Sequence, residues 1–279
     1  MDLSGMVNGL IQKSAQSIPK KEGDYFQDGL LHCGKCNTPK QCRVELFGQV
    51  RTPMCLCKCE TERRDREDAE FRHRAKMQEI QRMRSVGFPD RDMQNWTFKH
   101  DDGSNERVSG ICKRYVENFS EMRKKGKGLL FFGPVGTGKT FFAACIANAL
   151  IDAGYPCMVT NFARLTNTMF GLREGKQEYM DSLNRYALLV IDDLASERDT
   201  EFMNETVFNL IDSRYRSGLP LIITTNLTAE ELKHPADMSK QRVYSRLFEM
   251  CVAVEVAGRD RRKQKMIADH NELEDLLGL

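Results

Sequence analysis

The chain has 279 residues, 41% of them apolar, and its 42 basic and 40 acidic side chains leave a formal net charge of +2. That balance excludes a globally basic or globally acidic protein, so any patch for a charged partner must be local. No apolar run approaches the roughly 18 residues that a membrane-spanning helix needs, and MDLSGMVNGLIQKSAQ lacks the basic start and apolar stretch of a secretory signal. The expectation is a cytoplasmic protein of one large domain or two ordinary ones.

In chain order, LIQKSAQSIPKKEGDYF predicts a short helix ending before Pro19. A block punctuated by Gly34, Pro39, Gly48 and Pro53 follows, with RVELFGQV as a short hairpin strand. Six of the 10 cysteines, Cys33, Cys36, Cys42, Cys55, Cys57 and Cys59, fall here. Thiols persist in a reducing compartment, so the cluster reads as a metal site before it reads as disulfides. Zinc prefers four ligands supplied as two pairs by separate turns. CGKC provides Cys33 and Cys36, and the second pair must come from CLCKC, where an extended strand would turn Cys55, Cys57 and Cys59 to one side. Cys57 and Cys59, nearest the turn into the next segment, complete the expected zinc site, with Cys55 as the alternate and Cys42 outside it. Residues 1–59 are thus expected to be a zinc-ribbon-like module that the metal stabilises. Cys112, Cys145, Cys157 and Cys251 stand singly in apolar contexts and read as core thiols.

ETERRDREDAEFRHRAKMQEIQRMR holds 15 charged residues in 25 positions. Its acid-then-base pairs four apart, Glu60 and Arg64, Glu62 and Arg66, Asp68 and Arg72, Glu70 and Arg74, predict a solvated helix. GFPDRDMQNWTFKHDDGSNE reads as a linker, so residues 60–106 are expected as charged helix and linker, and a second domain as residues 107–279. There the apolar strands GLLFFG, PCMVTN, ALLVIDD and PLIITTN alternate with helical segments. That order predicts an α/β fold with a parallel sheet covered by helices on both faces.

GPVGTGKT, from Gly133 to Thr140, fits G-x-x-x-x-G-K-[ST] between a strand and a helix. Gly133, Pro134, Val135, Gly136, Thr137 and Gly138 would turn successive N–H groups toward the phosphates of ATP, at the positive end of the helix that Phe141 enters. Lys139 would lie along the β- and γ-phosphates, and the Thr140 hydroxyl would ligate Mg²⁺. LLVIDD then delivers Asp192, which would hold Mg²⁺ through water, and Asp193, at the position of the base that orients the attacking water. That base is often Glu, and the shorter Asp193 points to slow hydrolysis or to help from a neighbour. Asn226, at the end of PLIITTN, is placed to orient the water or sense the γ-phosphate, or else simply caps its strand.

Together GPVGTGKT, LLVIDDLASERDTEFMNETVFNLIDSRYRSGLPLIITTNLTAEEL and RVYSRLFEM resemble the bacterial and phage replicative helicase loaders, the DnaC/DnaI type of AAA+ ATPase, over roughly residues 85–265. The Asp-Asp-Leu-x-x-Glu run at 192–197 and the stretch from Arg214 to Asn226 are its most telling parts. The resemblance implies a P-loop AAA+ domain with a reduced or absent lid and assembly-dependent ATP hydrolysis. It also implies self-association into a ring or spiral on single-stranded DNA, and a replicative hexameric helicase gripped by the zinc module. It implies an arginine sent into the neighbouring subunit's nucleotide, with Arg242 and Arg246 four apart on one helix face and Arg246 the expected finger. Arg261 or Arg262 would be a second γ-phosphate sensor, and Arg164, Arg173 and Lys176 would face DNA, with Phe162 and Phe170 close by. Two other readings use the same residues: an IstB-like transposition helper, and a zinc adaptor in which nucleotide is only a structural switch.

Overall fold

The computed structural model describes residues 20–46, 48–88, 90–195, 201–235 and 237–261, with positions 263, 266, 270, 274, 276 and 277 beyond them. The short helix expected before Pro19, Glu197 and Arg262 lie outside the described residues. The chain divides between Met77 and Gln78 into two units.

The first unit is built from two small antiparallel hairpins, β1 (Tyr25–Gln27) with β2 (Leu30–His32), and β3 (Val44–Leu46) with β4 (Gln49–Arg51). Helix α1 (Lys58–Gly87) starts one residue after Cys57, and its residues 61–79 are exposed throughout. Ion pairs decorate it at Glu60–Arg63 (2.5 Å), Arg63–Glu67 (2.8 Å) and Glu79–Arg82 (2.7 Å), spacings that support a solvated helix.

In the second unit, five parallel strands form the sheet: β5 (Gly128–Phe132), β6 (Cys157–Asn161), β7 (Leu188–Leu194), β8 (Leu221–Thr225) and β9 (Cys251–Glu255), in the order β6-β7-β8-β5-β9. Their near-continuous apolar runs follow from burial on both faces, because successive side chains point to opposite sides. Leu129, Phe131, Leu188, Val190 and Ile222 face one core, shared with α2 (Glu106–Glu117), α3 (Phe119–Lys124) and α4 (Lys139–Asp152). Leu130, Leu189, Ile191, Leu221 and Ile223 face the other, shared with α5 (Phe162–Gly171), α7 (Glu201–Ser217) and α9 (Met238–Met250). Helices α6 (Lys176–Ser182) and α8 (Ala229–Lys233) complete the set.

Part of the segment expected as a linker packs on this unit. It forms short 3-10 turns at Asp92–Asn95 and Phe98–His100, and Met93, Trp96 and Phe98 pack on the first core. The fully buried Asn148 of α4 donates to the carbonyls of Met93 (2.8 Å) and Trp96 (2.9 Å) and accepts from Arg84 Nε (3.0 Å).

A cation is buried at the other end of the sheet. Arg214 of α7 is 1% exposed, and its guanidinium donates to the carbonyls of Pro220 (2.8 and 3.1 Å), Tyr186 (3.0 Å) and Ala187 (3.4 Å). It fastens the loops leading into β7 and β8, and burial lowers its pKa to about 10, which leaves it charged at neutral pH.

Candidate nucleotide and metal sites

The phosphate loop joins the carboxyl end of β5, which lies between β8 and β9, to the amino end of α4. Gly133 (φ 130°), Gly136 (φ 78°) and Gly138 (φ 97°) lie in the left-handed region that a β-carbon disfavours. At Gly136 a β-carbon would also fall 1.9 Å from the Asp260 carboxylate. Lys139 is 5% exposed, and its ammonium donates to the carbonyls of Gly133 (2.9 Å) and Pro134 (2.7 Å). The buried Thr137 closes the loop by donating to Pro134 O (3.0 Å).

Opposite the loop stand the ends of β7 and β8. The Thr140 hydroxyl donates to Asp192 at 2.8 Å from Oδ1 and 3.1 Å from Oδ2, pairing the two groups expected to hold Mg²⁺. Asp193 has φ 58°, and the β7–β8 register shifts between Ile191 and Leu194. A cleft of about 360 Å³ is lined by Val135, Gly136, Gly138, Lys139, Thr140, Phe141, Asp193, Asn226 and Arg261, together with Trp96 and His100. The structure therefore gathers every expected phosphate-loop residue, both acids and Asn226 at one sheet edge, where open parallel sheets bind ligands. The hydroxyl and carboxylate oxygens of Thr140 and Asp192 are the hard donors that suit Mg²⁺.

Arg261 reaches the same cleft. Its backbone N–H donates to Gly136 O (3.0 Å), and its guanidinium bonds Ser104 Oγ (2.6 Å) and Asp102 Oδ1 (3.2 Å) over the rings of Phe141 and Phe142. Arg246 does not line this cleft. It sits on α9, paired with Asp212 of α7 at 2.7 Å and 4.5 Å from the Phe208 ring centroid, while Arg242 one turn earlier is exposed. Sequence reasoning missed Trp96, His100 and Asp260. For Trp96 the available signal was apolar side chains at positions 88, 93, 96 and 98 within a polar stretch.

In the first unit the Sγ atoms of Cys33, Cys36, Cys57 and Cys59 lie within 4.8 Å of one another. Strand alternation does not set the second pair, because the chain is already helical at Lys58 and the first turn folds Cys59 back to 3.4 Å from Cys57. Cys55 turns instead toward Pro39 O (3.6 Å) and Cys42 toward Pro53 O (3.8 Å). The CGKC turn is held by Asp24, which accepts from the N–H groups of Gly34 (3.2 Å) and Lys21 (3.0 Å) and pairs with the buried Lys40 ammonium. Gly34 is required there, since a β-carbon would sit 2.1 Å from Gly23 O.

The thiols of the cluster are unevenly perturbed by one another and by the turn. The N–H groups of Cys36 and Lys35 lower the pKa of Cys33, and the Thr38 hydroxyl leads the effects that lower Cys36 to about 5. The sulfurs of Cys57, Cys33 and Cys36 crowd Cys59 and push it up to about 12. Four soft sulfur donors on two turns fit zinc in tetrahedral coordination. By contrast burial raises Cys112 and Cys251 to about 12 and also raises Cys145 and Cys157, as inert core thiols.

Of the groups expected to face DNA, Arg164, Arg173 and Lys176 are exposed. Phe162 is buried in the second core, whereas Phe170 is 78% exposed and meets Phe202 edge-on at 6.1 Å, with the Lys176 ammonium 5.5 Å from the Phe202 ring centroid. Among the described residues no helix is long and apolar enough to cross a membrane.

Residues 59–268 match the family model described as IstB-like ATP binding protein. The replicative helicase loader DnaI of Bacillus subtilis (strain 168) is 25% identical over 169 residues, covering 56% of this chain and 53% of that protein. A putative insertion sequence ATP-binding protein of Sinorhizobium fredii is 34% identical over 107 residues, covering 37% of this chain and 35% of that protein. The chain thus spans about half or less of these curated relatives. A crystal structure of DnaI is similar at TM-score 0.53 and 22% identity, covering 64% of this chain and 99% of that one. With the sheet order, this likeness gives the second unit an AAA+ fold.

Proposed function

Because the chain belongs to the family of IstB-like ATP-binding proteins, we propose that it is an ATP-driven loader that delivers a replicative hexameric helicase to single-stranded DNA. The observation that carries this reading is the convergence of Lys139, Thr140, Asp193 and Asn226 on one cleft, with Asp192 hydrogen-bonded to Thr140. The function named for the Bacillus relative supplies the class of client.

In this mechanism the loop from Gly133 to Gly138 and the start of α4 present N–H groups to the phosphates, and Lys139 exchanges the carbonyls of Gly133 and Pro134 for phosphate oxygens. Thr140 and Asp192 would hold Mg²⁺, which would supply neutralisation of phosphate charge. Asp193 accepts a hydrogen bond from the attacking water, and Asn226 holds that water or the γ-phosphate from the neighbouring strand. Arg261 stands by the loop as a further phosphate contact. Trp96 and His100 wall the remaining side of the cleft.

Arg246 acts on the neighbouring protomer's nucleotide in a ring or spiral, so that hydrolysis depends on assembly. Its pairing with Asp212 and its packing on Phe208 hold the guanidinium ready. Exposed Arg242 is the second candidate for that role. Single-stranded DNA runs over Arg164, Arg173 and Lys176, with Phe170 as a ring on which a base can stack. The Arg246→Ala protein should bind ATP like the parent but lose DNA-stimulated hydrolysis, in a turnover assay with and without single-stranded DNA. Equal rates in the two proteins would remove Arg246 from the mechanism. Isolation of the chain from its host tests the client directly: a hexameric helicase that co-purifies supports the loader, and a transposase overturns it.

The first unit grips the helicase, and zinc on Cys33, Cys36, Cys57 and Cys59 ties the hairpins to the start of α1. Single serine replacements at these four positions should each release the metal, whereas Cys42→Ser and Cys55→Ser should retain it in zinc analysis of the purified proteins. Retention in any of the first four, or loss with Cys55→Ser, contradicts the ligand set.

A further inference from the structure

Thr224 is the next-to-last residue of β8, has no exposed surface, and lies between β7 and β5 in the sheet. A threonine hydroxyl offers one proton and two lone pairs, and here both functions meet the two neighbouring acids. Oγ1 donates to Asp192 Oδ1 at 2.5 Å and accepts from the backbone N–H of Asp193 at 3.0 Å. Asp192 Oδ1 is the same atom that accepts from Thr140 at 2.8 Å. Asp193 is left-handed (φ 58°) at the bulge in β7, a backbone state disfavoured for a residue with a β-carbon and maintained only by its surroundings. Regular alternation would send Asp192 and Asp193 to opposite faces of the sheet, and bulges are a means of re-aiming such a side chain. Adjacent Thr225 cannot substitute, since its hydroxyl donates to Leu194 O at 2.9 Å.

We propose that Thr224 is a positioning residue for nucleotide hydrolysis. Its single hydroxyl fixes the Asp192 carboxylate beside Thr140, where that carboxylate meets Mg²⁺, and pins the backbone of Asp193 so that its side chain faces the cleft. The inference rests on the ATPase reading above, and its test separates the two. Valine keeps the shape and strand preference of threonine while removing donor and acceptor.

Binding of a fluorescent ATP analogue in EDTA should be unchanged in Thr224→Val, because the phosphate loop is untouched. The gain in affinity on adding Mg²⁺ should fall about tenfold and kcat should fall about 10- to 100-fold, the range seen when groups supporting a metal ligand are removed. Thr224→Ser should return both to within about threefold of the parent, since it restores both hydrogen bonds. A valine protein with the parent's Mg²⁺ dependence and kcat overturns the proposal. So does a serine protein as impaired as valine, because packing of the methyl group would then be responsible. Should the valine protein fail to fold, Thr224→Cys keeps the size without a strong donor, and a cysteine variant that matches serine also overturns the proposal. A parent without turnover sinks the ATPase reading instead, and the Mg²⁺-dependent binding comparison still decides the role of Thr224.

Discussion

Replacement of Lys139 by alanine is expected to weaken ATP binding about 10- to 150-fold and to remove detectable hydrolysis. The Lys139 ammonium is almost completely enclosed, with Gly133 O and Pro134 O as hydrogen-bond partners in the loop. Most of its desolvation is therefore completed on folding, and phosphate oxygens can take over from the carbonyls of Gly133 and Pro134. A charge-assisted bond of this kind contributes roughly 1.5–3 kcal/mol, and in a water-poor cleft the loss of one such donor costs about 10²–10³ in rate. Asp192→Asn separates binding from chemistry. The amide keeps the shape and an oxygen for Thr140 and Thr224, but it removes the negative charge that holds Mg²⁺. This variant should retain ATP by equilibrium binding and lose at least about a hundredfold in turnover. An alanine at Lys139 that binds ATP as the parent does would contradict the assignment of this cleft.

The second large effect concerns stability. Arg214→Leu should lower the free energy of unfolding by about 3 kcal/mol, because each buried carbonyl left without a donor costs roughly 1–3 kcal/mol and the added apolar contact offsets only part of that. Three carbonyls, of Pro220, Tyr186 and Ala187, lose their shared donor at once. Lysine should rescue only partly, since a point charge cannot reproduce the planar fork that spans them. Arg216, two residues on, is the control. Its pair with Asp212 leaves the arginine side chain 76% exposed, and Arg216→Ala should change stability by less than about 1 kcal/mol. Urea unfolding of the three variants measures the order, and equal effects of Arg214→Leu and Arg216→Ala would defeat the argument.

The fold was legible because its signals are local. GLLFF, ALLVIDD and PLIITTN are apolar without alternation, and only a strand buried on both faces tolerates that pattern. The phosphate loop was legible because three left-handed glycines and one lysine are needed in fixed order whatever surrounds them. The zinc pair was partly legible. Three thiols at alternate positions are equivalent on an extended strand, and the start of α1 at Lys58 breaks the tie. Trp96 was missed because its place in the cleft depends on Asn148, which lies more than 45 positions downstream and holds the carbonyls of Met93 and Trp96, and His100 follows one 3-10 turn later. Thr224 was passed over for a similar reason: its partners come from another strand, at a bulge that no run of residues announces.

Helix α1 carries one further consequence. From residue 61 to 79 its side chains are exposed, so local ion pairs and helix propensity carry much of the support for its hydrogen bonds. Local opening in such a segment lies at the low end of a protein's stability range. Among the described residues this stretch should therefore take up solvent deuterium early, and it offers a trypsin-like enzyme a ladder of arginines.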